Sequence, residues 1–261
     1  MEHVVRFRGA VCLLGRFPAL AGVDLDVRRG EIVLLRGPNG AGKTTILRAC
    51  AGLVPVVDGE ASVLGVDLRT DQRAVRHRVG LLGHASGLYE DLTVADNVRF
   101  WSRAARARPA DAEAAMARLG LHGRLAEVPV ARLSAGQRRR TSLAVMVARR
   151  PELWLLDEPH AALDQEGRDL VDSLMADAVE AGATVLFVSH ELDRAEGVAH
   201  RAVTITGGTA VEPPDATTDH PSPAAPATPA TPAASNLPGP NIDRPTVDDS
   251  TPTDPGTVSV G

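Results

Sequence analysis

The chain has 261 residues, 44% apolar and 23% charged, with a formal net charge of −5. It is long enough to bury a sizeable core, and no apolar run reaches the roughly 18 to 20 residues of a membrane-spanning helix. The opening MEHVVRFRG lacks the basic-then-apolar order of a secretory leader, and Cys12 and Cys50 fit no metal or redox spacing, so a reduced, cytoplasmic protein is expected. Four Phe, two Trp and one Tyr are too few for a platform that stacks single-stranded nucleic acid.

In chain order, the first informative segment is EIVLLRG, an apolar run with Ile32 and Val33 that suits a buried strand. Gly37-Pro38-Asn39-Gly40-Ala41-Gly42-Lys43-Thr44 follows and fits G-x-x-x-x-G-K-[ST]. TTILRACAGL then reads as a helix with Gly52 near its end. Strand, glycine-rich loop and helix form the context that lets backbone N–H groups converge on phosphate oxygens. Lys43 is expected to reach the β- and γ-phosphates of a nucleotide, and the Thr44 hydroxyl to ligate Mg²⁺. Lys43 is also the single lysine among 28 basic residues, the rest being arginine. A position that keeps lysine in such a chain needs a compact ammonium. By itself this loop leaves kinases, GTPases and many ATPases open.

Further along, ADNVRFWSRAA and ADAEAAMARLG read as helices. Leu133-Ser134-Ala135-Gly136-Gln137 follows, with Ser134 a good N-cap for a helix whose apolar residues recur at helical spacing. A hydroxyl, a glycine and exposed N–H groups at a helix start also make an anion site, although alone an ordinary capped helix explains them as well. LWLLDEP is an apolar strand ending in paired carboxylates. Beside a phosphate loop, Asp157 is placed to hold Mg²⁺ through water and Glu158 to act as general base on the attacking water. A solvated acidic pair at a strand end is the alternative. TVLFVSH is read as a further strand ending at His190.

These motifs, in this order, resemble the ATP-binding subunits of ABC transporters, over about residues 3–207. GPNGAGKTT (through Thr45) resembles Walker A, LSAGQ the signature, LWLLDEP Walker B, Ala162 to Asp164 the D-loop, and His190 the switch histidine. The resemblance implies an α/β P-loop cassette occupying residues 1–211. Its RecA-like core and small antiparallel β subdomain come from residues 1–80 and 151–211, and its helical signature subdomain from about 88–150. It implies ATP and Mg²⁺ as ligands and a second cassette, a homodimer being the simplest form. Each ATP lies between Lys43 of one subunit and Ser134 and Gly136 of the other. Separate transmembrane permease subunits are implied too, with the cassette peripheral on the inner face of the cell membrane.

Two positions depart from the family pattern. Leu14 falls where an aromatic residue usually stacks on adenine, with Phe17 three positions away, and His84 falls at the Q-loop position. Neutral imidazole is a poorer Mg²⁺ ligand than an amide oxygen. The Gly83-His84 pair, LSAGQ and its RRR continuation resemble the ATP-binding subunits of haem exporters in cytochrome c maturation. Exporters of drugs, lipids or peptides remain the alternative. Non-transport ABC ATPases fit less well, because long coiled coils or a second cassette are missing and Leu133 lies only 91 residues after Gly42. A regulatory module without turnover would not be expected to keep Lys43, Asp157, Glu158 and His190 together.

The last 50 residues, Glu212 to Gly261, hold 12 of the 19 prolines, seven acidic groups and one basic group, Arg244. They cannot bury enough apolar surface to offset ordering entropy, and a disordered tail over 212–261 is expected. The remaining residues are close to neutral, which gives no field for nucleic acid, and no nucleic-acid partner is expected.

Overall fold

The computed structural model describes residues 2–211, so the tail expected from Glu212 onward lies outside the described residues. In chain order the elements begin with β1 (His3–Leu14), β2 (Phe17–Arg28), β3 (Ile32–Arg36) and α1 (Lys43–Cys50). β4 (Val56–Val63), β5 (Val66–Asp67), α2 (Leu68–Asp71) and β6 (Val79–Leu82) follow. The middle of the chain is helical: α3 (Val94–Ala104), α4 (Pro109–Arg118) and α5 (Ala135–Arg149), with two short 3₁₀ turns before α5. β7 (Leu153–Asp157), α6 (Gln165–Glu180), β8 (Thr184–Val188), α7 (Leu192–Val198), β9 (Arg201–Thr206) and β10 (Thr209–Val211) complete it.

The unbroken apolar runs of β3, β7 and β8 mark strands buried on both faces. They form the interior of a six-stranded sheet ordered β10-β9-β3-β8-β7-β6, parallel throughout except for β10. The period of two is visible in what each residue touches. Val33, Leu35, Leu153, Leu155, Leu186 and Val188 join the core beneath α1 and the small sheet. Their alternates Ile32, Leu34, Trp154, Leu156, Val185 and Phe187 join the core that runs into the helical region.

The second sheet is antiparallel, ordered β2-β1-β4-β5, and packs Val5, Phe7, Leu20 and Leu25 into the first core. In the helical region Val94, Val98, Ala115, Met116, Leu119 and Leu143 share one apolar cluster with the far face of the parallel sheet. The signature helix α5 is therefore anchored directly to the strands that carry the carboxylates. Asn97, fully buried in α3, ties down the segment that enters α3 by bonding the Tyr89 backbone through both its amide N–H and its carbonyl. Among the described residues no helix is long and apolar enough to cross a membrane.

Candidate active site

Sheet order brings together residues far apart in the chain. β3, β8 and β7 are neighbours, so the segments leaving their C-terminal ends meet at one edge. There Lys43, Thr44, Asp157, Glu158 and His190 line a single cavity of about 280 Å³ with Asn39 to Gly42 and Thr45. Ligand sites of parallel α/β sheets lie at this edge.

The glycines of the loop are dictated by geometry. Gly37 sits at φ +141°, and a Cβ there would lie 2.1 Å from the Ile205 carbonyl oxygen. Gly42, at φ +105°, is the N-cap of α1 and has no side chain to cap it. The first N–H groups of α1 thus have no side-chain acceptor, which suits phosphate oxygens. Lys43 is buried at 8% exposure and its Nζ donates to the carbonyls of Gly37 (2.8 Å) and Pro38 (3.0 Å). Its ammonium is held within the loop by neutral acceptors that an anionic phosphate can outcompete.

The Thr44 hydroxyl donates to Asp157 Oδ2 at 2.9 Å. A hydroxyl and a carboxylate side by side are hard oxygen donors of the kind Mg²⁺ takes, and this ion completes its shell from water and phosphate rather than from a protein cage.

Glu158 adopts φ +51°, the left-handed region, in a residue with a full side chain. Such a conformation costs about 1–3 kcal/mol and persists where surrounding contacts over-determine it. Pro159 contributes by disfavouring the right-handed helical region at the preceding residue. The carboxylate is held asymmetrically: Oε2 accepts from the His190 backbone N–H at 3.0 Å, while Oε1 is buried and has no hydrogen-bond donor among the described residues. The His190 imidazole Nε2 stands 3.5 Å from Oε1, too long for a well-formed hydrogen bond, and the ring is largely exposed. One oxygen anchored and one free to accept a proton is an arrangement suited to a general base. β8 itself stops at Val188, so Ser189 and His190 leave the sheet and the ring is free to turn.

The signature residues occupy a different place. Ser134, Ala135, Gly136 and Gln137 line a cavity of about 530 Å³ with Asp164 and Arg140, and Lys43 is not part of it. Ser134 caps α5 as expected. Asp164 caps α6: its Oδ1 accepts from the Gly167 N–H (2.9 Å) and from Arg140 (3.0 Å). The Gly167 N–H, then Arg140, hold this carboxyl below its ordinary value. His84 is exposed and borders a third cavity, of about 330 Å³, that also reaches Asp157 and Glu158. Leu14 borders the phosphate cavity, whereas Phe17 projects into solvent at 79% exposure.

Sequence reasoning used the arginines that follow the signature only as a mark of resemblance and gave none of them a structural task. Arg139 donates to the carbonyls of Gly83 (2.9 Å), Asp157 (2.8 Å), Glu158 and Pro159 (3.3 Å). Burial pushes its guanidinium down to about 10, while the charges of Asp157 and Glu158 act in the opposite sense. The RRR run was the visible signal. A second network, also unforeseen, has buried His160 on Asp172 Oδ1 at 2.7 Å and Arg194 on the other oxygen of the same carboxylate.

The family profile described as "ABC transporter" matches residues 20–161. A cytochrome c biogenesis ATP-binding export protein, CcmA, from Rhodopseudomonas palustris (strain BisB18) is 42% identical over 77% of this chain and 96% of its own length. The protein of the same name from Nitrobacter winogradskyi is 36% identical over 76% and 96%. The glutamine transport ATP-binding protein GlnQ of Escherichia coli (strain K12) is 34% identical over 80% and 90%. Among solved structures, a dimeric post-hydrolysis state of the ATP-binding cassette MJ0796 bound to ADP and Pi superposes with a TM-score of 0.72 at 25% identity, covering 78% of this chain and 95% of that one.

Proposed function

Because this chain belongs to the ABC transporter family of ATP-hydrolysing cassettes, we propose that it powers haem export for c-type cytochrome assembly, working through separate permease subunits at the inner face of the cell membrane. The observation that carries the cargo is the 42% identity over 96% of the length of a cytochrome c biogenesis export protein. LSAGQ with its arginine run and the Gly83-His84 pair support the same assignment. Tyr89, Phe100 and Trp101 form a contiguous aromatic group, with Tyr89 and Phe100 exposed, on the helical side of the His84 loop. An exposed apolar patch there fits a partner surface, such as that of a permease.

In this mechanism the open N-terminus of α1 and Lys43 bind the phosphates of ATP, and Thr44 and Asp157 hold Mg²⁺. When bound, the ion supplies charge neutralisation along the phosphates. Glu158 Oε1 accepts the proton of the attacking water while the His190 backbone N–H fixes Oε2. His190 turns its exposed ring toward the γ-phosphate. Lys43 and Ser134 line separate cavities of one chain, which favours a head-to-tail pair in which a second copy brings Ser134 to the γ-phosphate of the first chain's ATP.

The test is affinity purification of the Glu158→Gln chain from detergent-solubilised membranes with ATP and Mg²⁺. Recovery of cytochrome c maturation membrane subunits with haem absorbance is the expected result. Recovery of an unrelated permease would reassign the cargo and leave the ATPase in place; the 34% identity to a glutamine transport cassette makes that outcome a real alternative. Recovery from soluble extract with no membrane subunit would overturn the transport reading.

A further inference from the structure

The strands β6 and β7 run parallel and in register, with Leu82 opposite Leu156. One residue further on, the β6–β7 pairing ends and the partly buried carbonyls of Gly83 and Asp157 are left to find donors elsewhere. Arg139, in the second turn of the signature helix α5, supplies them. One terminal nitrogen donates to the Gly83 carbonyl at 2.9 Å, and the other to those of Asp157, at 2.8 Å, and Glu158. Its Nε reaches Pro159 O at 3.3 Å. A planar fork serves acceptors on both sides from separate nitrogens in fixed geometry, whereas a lysine offers all its donors from a single atom.

The acceptors belong to two segments with different tasks. Gly83 immediately precedes His84, the Q-loop position. Asp157, Glu158 and Pro159 form the turn that keeps Glu158 in its left-handed conformation. The guanidinium therefore replaces the missing rung between β6 and β7 and ties both to the signature helix. Displacing Gly83 withdraws one of the bonds that orient the guanidinium against the Glu158 backbone.

We propose that Arg139 is a positioning residue that couples the His84 loop and the signature helix to the conformation of Glu158. This rests on the reading of Glu158 as the general base. Arg139 touches no reacting atom; it sets the direction of the carboxylate through the carbonyls on either side of that residue's Cα. Its loss is felt in turnover, because ATP is bound by α1 and Lys43, to which Arg139 makes no bond.

The test uses the purified full chain and four proteins: wild type, Arg139→Lys, Glu158→Gln and the double variant. Arg139→Lys keeps the charge near Asp157 and Glu158 but replaces the three donor nitrogens that hold the two segments with one. The expected result is kcat about tenfold lower with directly measured ATP affinity within about twofold of wild type, since small displacements of a catalytic group are costly. In the Glu158→Gln background the same lysine substitution should cause no further loss, because the group that Arg139 positions is already gone. Unchanged kcat in Arg139→Lys overturns the proposal. So does a fall in ATP affinity equal to the fall in turnover, or an equal loss in both backgrounds, either of which marks a general structural role. Should Glu158→Gln retain wild-type turnover, the base assignment fails, and that failure is read from the single variant alone. Thermal melting of all four proteins separates these outcomes from misfolding. A large drop in melting temperature for Arg139→Lys, with turnover restored on cooling, also counts against the proposal.

Discussion

The N-terminus of α1 carries no side-chain cap, whereas that of α5 is closed by its own residues. At α5 the Ser134 hydroxyl accepts from the Gln137 N–H at 3.2 Å and the Gln137 side-chain oxygen accepts from the Ser134 N–H at 3.0 Å. At α1 the capping position is Gly42, which has nothing to offer. Both are helix starts suited to anions, yet only one has its donors ready in a single chain. A phosphate entering α1 displaces the carbonyls that hold Lys43. A phosphate approaching α5 must compete with a capping box whose members contribute about 1 kcal/mol to the helix. We infer from this difference an order of events in which nucleotide binds first at α1 and the α5 terminus engages when a second cassette brings it to bound ATP.

The largest effect that can break this ordering is at Lys43. Lys43→Ala should reduce ATP turnover by about 10²-fold or more, with weakened nucleotide binding in the isolated chain, because an ammonium in a water-poor site is removed from developing phosphate charge. Phosphate release and direct ATP titration measure both. Normal turnover in this variant would remove α1 from the mechanism. Glu158→Gln comes next, with a fall of about 10²–10⁴-fold in kcat and ATP binding retained, since the amide cannot accept the proton. Light scattering in ATP should then find a dimer, and a monomer would remove the reason for assigning α5 a role in trans.

Ser134→Ala sharpens the comparison with a smaller effect. It should leave ATP binding by a single chain unchanged, lower stability by about 1 kcal/mol through the lost cap, and weaken ATP-driven dimerisation. If it impaired monomer binding as much as Lys43→Ala, the two helix starts would not differ as the capping does.

How much of this was legible in the sequence depended on whether the signal was local. β3, β7 and β8 were visible because continuous apolar runs ended at motif residues. Ser134 as a cap was visible because a serine directly precedes a segment of helical period. That β3 would lie between β8 and β9 was not, because strand pairing across some 150 residues leaves no local trace. The resemblance to a family supplied a RecA-like α/β core but not this strand order. The left-handed turn at Glu158 was hidden too, though the proline after it was a partial warning. Arg139 was concealed by its neighbours: three successive arginines spread around a helix, and periodicity does not say which of them turns inward. His190 was placed at the end of its strand, but β8 stops two residues short, and this leaves its ring exposed.

The smallest predicted effect concerns the base rather than the phosphates. Leu14 borders the phosphate cavity and is 49% exposed, while Phe17 points away at 79% exposure. A purine held at this rim meets an aliphatic side chain, which offers burial without the directional attraction between stacked rings. Leu14→Tyr should therefore tighten ATP by about 0.5–1.5 kcal/mol, or about twofold to tenfold in Kd. Phe17→Ala should leave Kd unchanged, because its ring does not line the cavity. Leu14 and Phe17 pair across the turn of the β1–β2 hairpin, so the two titrations together decide which strand's side chain faces the base. Weaker binding in Phe17→Ala, with no gain from Leu14→Tyr, would show that the hairpin reorganises on nucleotide and brings the phenylalanine over the purine. In either case the phosphate contacts at α1 are untouched, so the change in Kd reads the base alone.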